Sequence, residues 1–250
     1  MSIYLATHHI DENPMPGLGR LISFDPRDAD HPLGAAAPLQ VDKSMMMWEA
    51  PIPLNQGDTY ECTAYSAEHF LMCAPIKNKL YMTPHDLYKA NQANDEWNAP
   101  GDSETPSGYH GSSVRAAFKV LQAAGLIGEY SWATDADTAR RWVLMKGPVV
   151  LGTNWYSGMM KTSASGFIRA SGTPVGGHAY AIRGCDDNLM CPDGSKGAFR
   201  VLNSWGIGWG QQGKAWLSYK DADGLIKNHG ECVTAVEVFN VTPKKITGVI

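Results

Sequence analysis

A cysteine at position 62 opens a stretch of helical spacing in which Tyr65, Phe70 and Leu71 recur, Ala64 and Ala67 are small, and Pro75 ends the run. In the first turn of a helix the backbone N–H groups lack partners and the macrodipole presents its positive end, so a thiolate is favoured over a thiol. Such a sulfur is placed for nucleophilic attack, although a lone cysteine is more often a small buried hydrophobe. Three other residues supply what acyl transfer through sulfur needs. Gln56, in Asn-Gln-Gly, is a side-chain donor for a developing oxyanion. His178, in Gly-Gly-His-Ala-Tyr-Ala-Ile-Arg-Gly, stands at the head of an apolar strand as a candidate acid and base. Asn203, in Val-Leu-Asn-Ser-Trp-Gly, ends another strand and offers an amide to fix an imidazole ring.

The elements around these residues divide the chain by period. Thr83-Pro84 reads as cap and first position of a helix to about Gln92. Ser113 precedes Val114, Ala117, Phe118 and Leu121 at helical spacing, with Gly125 closing the turn, and a further helix is predicted from Asp135 to Lys146. After it the pattern changes to short strands rich in Val, Ile and aromatics: Val149 to Thr153, His178 to Arg183, Ala198 to Leu202, Lys214 to Tyr219 and Cys232 to Phe239. Helices first and strands afterwards imply an α+β fold of two lobes with a cleft between them. The first 50 or so residues carry Pro14, Pro16, Pro26, Pro32 and Pro38, a spacing that predicts no helix. They read as an extended arm (1–50) attached through Met45, Met46, Met47 and Trp48, followed by a body at 51–240 and a tail at 241–250. A structural belt is the preferred reading of the arm; occlusion of the cleft is the other.

Composition narrows the partners. With 250 residues, 44% hydrophobic and 18% charged, the chain can bury a real core. Lys+Arg 21 against Asp+Glu 25 leaves a formal charge of −4, too balanced for nucleic acid, and no apolar run approaches the length needed to span a membrane. The N-terminus lacks the basic start and apolar block of a secretory signal. Five cysteines, an odd number without a CxxC pair, fit a reducing compartment, and a cytoplasmic location is expected.

The three blocks around Gln56, His178 and Asn203 resemble the papain-like cysteine peptidases. Gln56-Gly57 with Cys62, Ala64 and Ser66, His178-Ala179, and Asn203-Ser204-Trp205-Gly206 with Gly208-Trp209-Gly210 agree with that family in order and separation, across roughly residues 50 to 240. The resemblance implies a helical lobe at about 51–130 and an antiparallel β-barrel-like lobe at about 131–240. It implies a Cys62 thiolate and His178 imidazolium facing across the cleft, a thioester intermediate, an oxyanion held by Gln56 and the Cys62 N–H, and no cofactor. Asn203 would orient His178 under Trp205, and the substrate would be a peptide or protein. Tyr60, Gly108, Gly111, Gly152 and Ala179 are the further residues expected to touch it. The resemblance is to bacterial and phage-type members more than to secreted lysosomal ones. The chain departs from the pattern at Thr59 and Thr63, where the family usually has a cysteine and a tryptophan, and at Tyr60 and Glu61, where it usually has small residues. A carboxylate at 61 opposes ionisation of the neighbouring thiol unless it points to solvent. Two other outcomes keep the fold: transfer of the acyl group to an amine or action on an isopeptide, and a catalytically silent peptide-binding module.

Weaker motifs have plainer readings. Gly208 to Gly213 satisfies GxGxxG, but a strand, not a helix, is predicted after it, so a glycine-rich turn is expected. His8, His9, Asp11 and Glu12 read as a solvated arm and not as metal ligands. Cys185 and Cys191 are expected to flank a hairpin loop as free thiols, and Asn240-Val-Thr is a glycosylation sequon only for a secreted chain.

Overall fold

Side-chain caps fix where the α-helices begin from the third onward. The computed structural model describes residues 17–23, 25–78, 82–97, 100–101 and 108–239. Helix α1 is a single turn, Leu33–Ala36, and α2 spans Cys62–Met72. Helix α3 (Pro84–Asn94) starts with a capping box in which Thr83 and Asp86 satisfy each other's backbone N–H groups. Helix α4 (Val114–Ala123) is capped by the Ser113 hydroxyl, α5 (Ala136–Met145) by the Asp135 carboxylate, and α6 (Tyr219–Lys227) by Ser218. Gly125 adopts φ +72°, the left-handed turn expected after α4.

Among the described residues eight strands form one sheet: β1 (Met45–Met47), β2 (Tyr130–Trp132), β3 (Val149–Tyr156), β4 (Phe167–Ile168), β5 (Pro174–Met190), β6 (Lys196–Leu202), β7 (Lys214–Ser218) and β8 (Glu231–Ala235). Their order is β2-β8-β3-β5-β6-β7-β4, with β1 alongside β5. The path runs from β2 at one end to β4 at the other, so the barrel-like lobe is an open, mostly antiparallel sheet, with β4 and β7 parallel.

The period-2 alternation of the two central strands separates two cores. Val149 and Leu151 of β3 and Tyr180 and Ile182 of β5 pack with α1, α5 and α6. Val150 of β3 and Ala179 of β5 face the other way and join the core of α2, α3 and α4, where Phe70, Phe118, Leu87 and Leu121 are fully buried. The α+β class and two-lobed plan expected from the sequence are therefore present, with helices on both faces of the sheet.

Several boundaries differ from expectation. The arm does contain helix: a 3-10 turn at Pro26–Asp30 capped by Asp25, and α1. Pro26 lies in the first turn and Pro32 is the cap residue of α1, positions where a missing N–H breaks no helical bond. Strand β5 continues well past Arg183, so Cys185 lies within it, paired with Phe199, and the turn into β6 lies at 191–195. Strand β7 ends at Ser218, whose side chain starts α6 in place of continued strand. The candidate ligands at 8–12, the sequon at Asn240 and the 241–250 tail lie outside the described residues. Met46 and Trp48 do anchor the arm: β1 pairs with β5, and Trp48 Nε1 donates to the Val143 carbonyl at 2.8 Å, while Met45 is exposed.

Asp135 holds the start of α5 through both oxygens, accepting the Thr138 N–H at 2.7 Å and its hydroxyl at 3.2 Å. Replacing it in Asp135→Ala is expected to cost about 1 kcal/mol, read as a lower urea midpoint with an unchanged slope.

Candidate functional site

Cys62 is the first residue of α2 and is fully buried. No side chain caps this helix start, so its N–H groups are left to stabilise charge at the sulfur. The Ala179 N–H, from β5, donates to Cys62 Sγ at 3.4 Å, joining the helical lobe to the sheet one residue beyond His178.

His178 is fully buried, and its ring is walled by Trp155 at 4.7 Å between centroids and Trp205 at 4.9 Å. Its Nε2 lies 2.7 Å from Asn203 Oδ1. The same oxygen accepts the Ser204 backbone N–H at 2.8 Å. A backbone N–H can only donate, so the Asn203 oxygen faces both partners and His178 must carry its proton on Nε2. Nδ1 is then a lone pair, buried and without a hydrogen-bond partner.

Gln56 reaches the site from a loop held on two sides. Leu54 N–H donates to His69 Nε2 in α2 at 3.0 Å, and the Gln56 N–H donates to the Ser204 carbonyl at 2.8 Å. The Ser204 hydroxyl donates to Gln56 Oε1 at 2.6 Å, which turns the amide nitrogen outward. That nitrogen donates to Thr59 O at 2.9 Å and approaches Leu18 O at 3.4 Å.

Leu18 belongs to a strap, residues 17–23 of the arm, which lies in the cleft. Trp205 Nε1 donates to Gly17 O at 2.8 Å, Gly19 and Arg20 N–H both donate to Gly177 O at 3.0 Å, and Ser112 N–H donates to Gly19 O at 3.0 Å. Leu21 N–H returns to Ser112 O at 2.9 Å, a bridge in which the strap runs parallel to the 111–112 segment. A Cβ on Gly19 would stand 2.2 Å from Tyr60 O, and one on Gly111 would stand 2.0 Å from Gly19 O. Only glycine lets the backbones meet this closely, so the belt reading of the arm gives way to cleft occlusion over these residues.

The structure joins Cys62 to Ala179, the neighbour of His178, and His178 to Asn203 and Trp205, with Tyr60 and Gly111 against the strap, while no hydrogen bond connects Cys62 Sγ with His178 Nδ1. Gly152 pairs with Ala179 and its missing side chain makes room for Arg20. Gly108 is exposed. Glu61 is buried, not solvated, and its carboxylate meets His85 Nδ1 at 2.6 Å. The GxGxxG segment is a turn leading into β7, with Gly210 and Gly213 at φ +54° and +77°, and no helix follows it.

Burial dominates the electrostatics beneath the strap. It pushes the Cys62 thiol up to about 12 against the N–H groups of Ala179, Thr63 and Cys62 and the positive charge of Arg20. It pushes His178 down to about 4 against the Asn203 bond. Both shifts favour the uncharged forms of the two groups.

Sequence reasoning assigned no role to Ser204, Trp155 or Glu231, and weighed occlusion of the cleft for the arm without locating the strap within it. Ser204 lies inside a motif that was visible; Trp155 and Glu231 carry no local signal, because their partners are distant in sequence. Glu231 meets Arg20 across 211 positions.

No protein-family model matches the sequence, and no curated protein matches it at significance. Solved structures do. Xylellain, a cysteine protease from Xylella fastidiosa, is 18% identical with a TM-score of 0.64, over 90% of this chain and 98% of that one. Digestive procathepsin L 3 of Tenebrio molitor is 12% identical with a TM-score of 0.60, over 90% and 76% of the two chains. The bromelain protease of Ananas comosus is 14% identical with a TM-score of 0.57, over 77% and 98%. At these identities the likeness is one of fold, and the fold of this chain is that of the papain-like cysteine proteases.

Proposed function

We propose that this protein is a cysteine peptidase that hydrolyses peptide bonds through a thioester on Cys62. The observation that carries the reading is the pair of bonds to Asn203 Oδ1, which leaves His178 Nδ1 as the available base on the ring. When the strap leaves and water and substrate enter, Nδ1 takes the thiol proton and Cys62 Sγ attacks the substrate carbonyl. Gln56 Nε2 and the Cys62 N–H hold the oxyanion; the strap's Leu18 carbonyl already approaches that amide. His178 returns the proton to the leaving amine, and water then cleaves the thioester with the same nitrogen as base. The papain-like proteases that share the fold support a peptide or protein substrate. The thiolate–imidazolium state expected from the sequence belongs, in this reading, to the uncovered cleft. All five cysteines are free and buried, which supports a reducing setting; no helix among the described residues is long and apolar enough to cross a membrane.

A peptide-library digest read by mass spectrometry tests the activity. Hydrolysis products are expected from the full chain and none from Cys62→Ala. Products carrying an added amine would favour acyl transfer, and binding without any cleavage would leave a silent module. Gln56→Ala is expected to lower kcat on the order of 10²-fold or more.

The covered sulfur makes a second prediction. Thiolate is the reactive form, and a pKa raised to about 12 keeps its fraction small near neutrality. Iodoacetamide labelling of Cys62 in the full chain should climb about tenfold per pH unit from roughly pH 7 to 9, with no plateau. In Gly19→Ala, where the new Cβ would meet Tyr60 O, the strap is displaced, and labelling at pH 7 should be faster. A plateau below pH 7 in the unaltered chain would mean that the sulfur is already ionised beneath the strap.

A further inference from the structure

The strap places one charged side chain inside the protein. Arg20 is fully buried, and its Nε donates to Glu231 Oε2 at 2.9 Å while Nη2 donates to the His229 carbonyl at 2.6 Å. Glu231 stands at the start of β8, and the Arg20 guanidinium reaches it over Gly152 of β3. A Cβ on Gly152 would lie 2.6 Å from Val114 Cγ2, 3.2 Å from Arg20 Nε and 3.2 Å from Glu231 Oε2, so the space exists because residue 152 has no side chain. The pocket is therefore floored by a carboxylate, edged by a carbonyl and walled by Val114. Glu231 is about nine-tenths buried, and its other oxygen, Oε1, has no partner.

The residue that fills this pocket belongs to a segment lying where a substrate would lie. Arg20 N–H bonds Gly177 O, next to His178, and the neighbouring strap carbonyls engage Ser112 N–H and approach Gln56 Nε2. Its side chain thus occupies a side-chain position of the cleft. When the strap is out, Glu231 loses its bonded ion-pair partner and keeps only the more distant charge of Arg115, and burial already pushes its carboxyl above the usual carboxylate range even with Arg20 present. An acid that has lost its bonded partner in such a site selects strongly for a guest that restores the charge pair.

We propose that this pocket is the specificity pocket of the cleft, that it takes an arginine side chain of the substrate, and that Glu231 determines the choice. The proposal rests on the peptide reading of the cleft. The geometry separates arginine from lysine: Glu231 and the His229 carbonyl address two different nitrogens of a planar guanidinium, a fork that a single ammonium cannot fill. Arginine should therefore outrank lysine, with leucine and glutamate below both.

Two measurements on the full chain decide it. In a positional-scanning peptide library, one position within three residues of the cut should prefer arginine over leucine on the order of tenfold or more. Glu231→Gln should collapse that arginine-to-leucine ratio. Cleavage with no basic preference at any position, or a preference that survives Glu231→Gln, would overturn the proposal while leaving the peptidase reading intact. The second measurement does not need turnover. In Arg20→Ala the pocket is emptied, and ethylguanidinium should raise the melting temperature of this variant, with no such effect on the unaltered chain or on Arg20→Ala/Glu231→Ala. Its uncharged analogue ethylurea should do nothing. If ethylguanidinium fails to stabilise Arg20→Ala, the pocket is not a guanidinium site; if it stabilises the variant and no peptide is ever cut, the pocket stands and the peptidase reading falls.

Discussion

Asn203 Oδ1 accepts two N–H groups, from the Ser204 backbone at 2.8 Å and from His178 Nε2 at 2.7 Å, and thereby decides where the proton sits on the imidazole. An amide alone could face the ring with either end; the backbone N–H of the next residue removes that choice. Ser204 has further duties, since its carbonyl and hydroxyl fix Gln56. One short turn after β6 therefore sets both the tautomer of the proposed base and the direction of the proposed oxyanion donor. The Trp155 and Trp205 rings against His178 keep water from competing for the 2.7 Å bond.

The same burial that protects this arrangement holds it at rest. An isolated charge in a dry site is costly, so a buried thiol and imidazole lower the free energy by staying neutral. The strap lies beside the pair, its backbone bonded to Gly177 and Ser112 and the charge of Arg20 acting on Cys62. Ionisation of the pair and entry of substrate then become one event in the proposed chemistry, since both need the strap to leave. Glu61 is buried beside the nucleophile, with its carboxylate 2.6 Å from His85 Nδ1.

Features legible in the sequence are those whose cause is local. Thr83, Ser113 and Asp135 start helices because a cap bonds to a backbone N–H about three residues on, and the reading placed α3, α4 and α5 within a residue or two of their observed ends. Cys62 at the head of α2 was legible without a cap, from the helical spacing of Tyr65, Phe70 and Leu71 after it. Strand β5 was underestimated because its outer half, with Asp186, Asp187 and Asn188, lacks an apolar pattern and is held by β1 and β6. Helix α6 was missed because Tyr219 continued the aromatic strand pattern, while the Ser218 cap was hidden inside it. The course of the strap was illegible too. Gly17 and Gly19 advertise a turn, and only the backbones of Tyr60 and Gly177, far along the chain, turn that freedom into close packing.

That packing leaves few side chains to hold the strap in the cleft. Gly17 and Gly19 offer only backbone, and two side chains carry most of the contact: Leu18, fully buried in the core on the β3–β5 face, and Arg20 on Glu231. Beyond them Arg115 binds Asp28 and anchors the arm outside the cleft. Removing one partner of a buried ion pair typically costs about 3–5 kcal/mol, so withdrawing Arg20 without a replacement is the expensive part of opening. An incoming arginine removes that cost by taking the place of Arg20 as it leaves. On this argument the group that selects the substrate is also the group that holds the resting state closed, and a peptide lacking a guanidinium meets a cleft that has little reason to open.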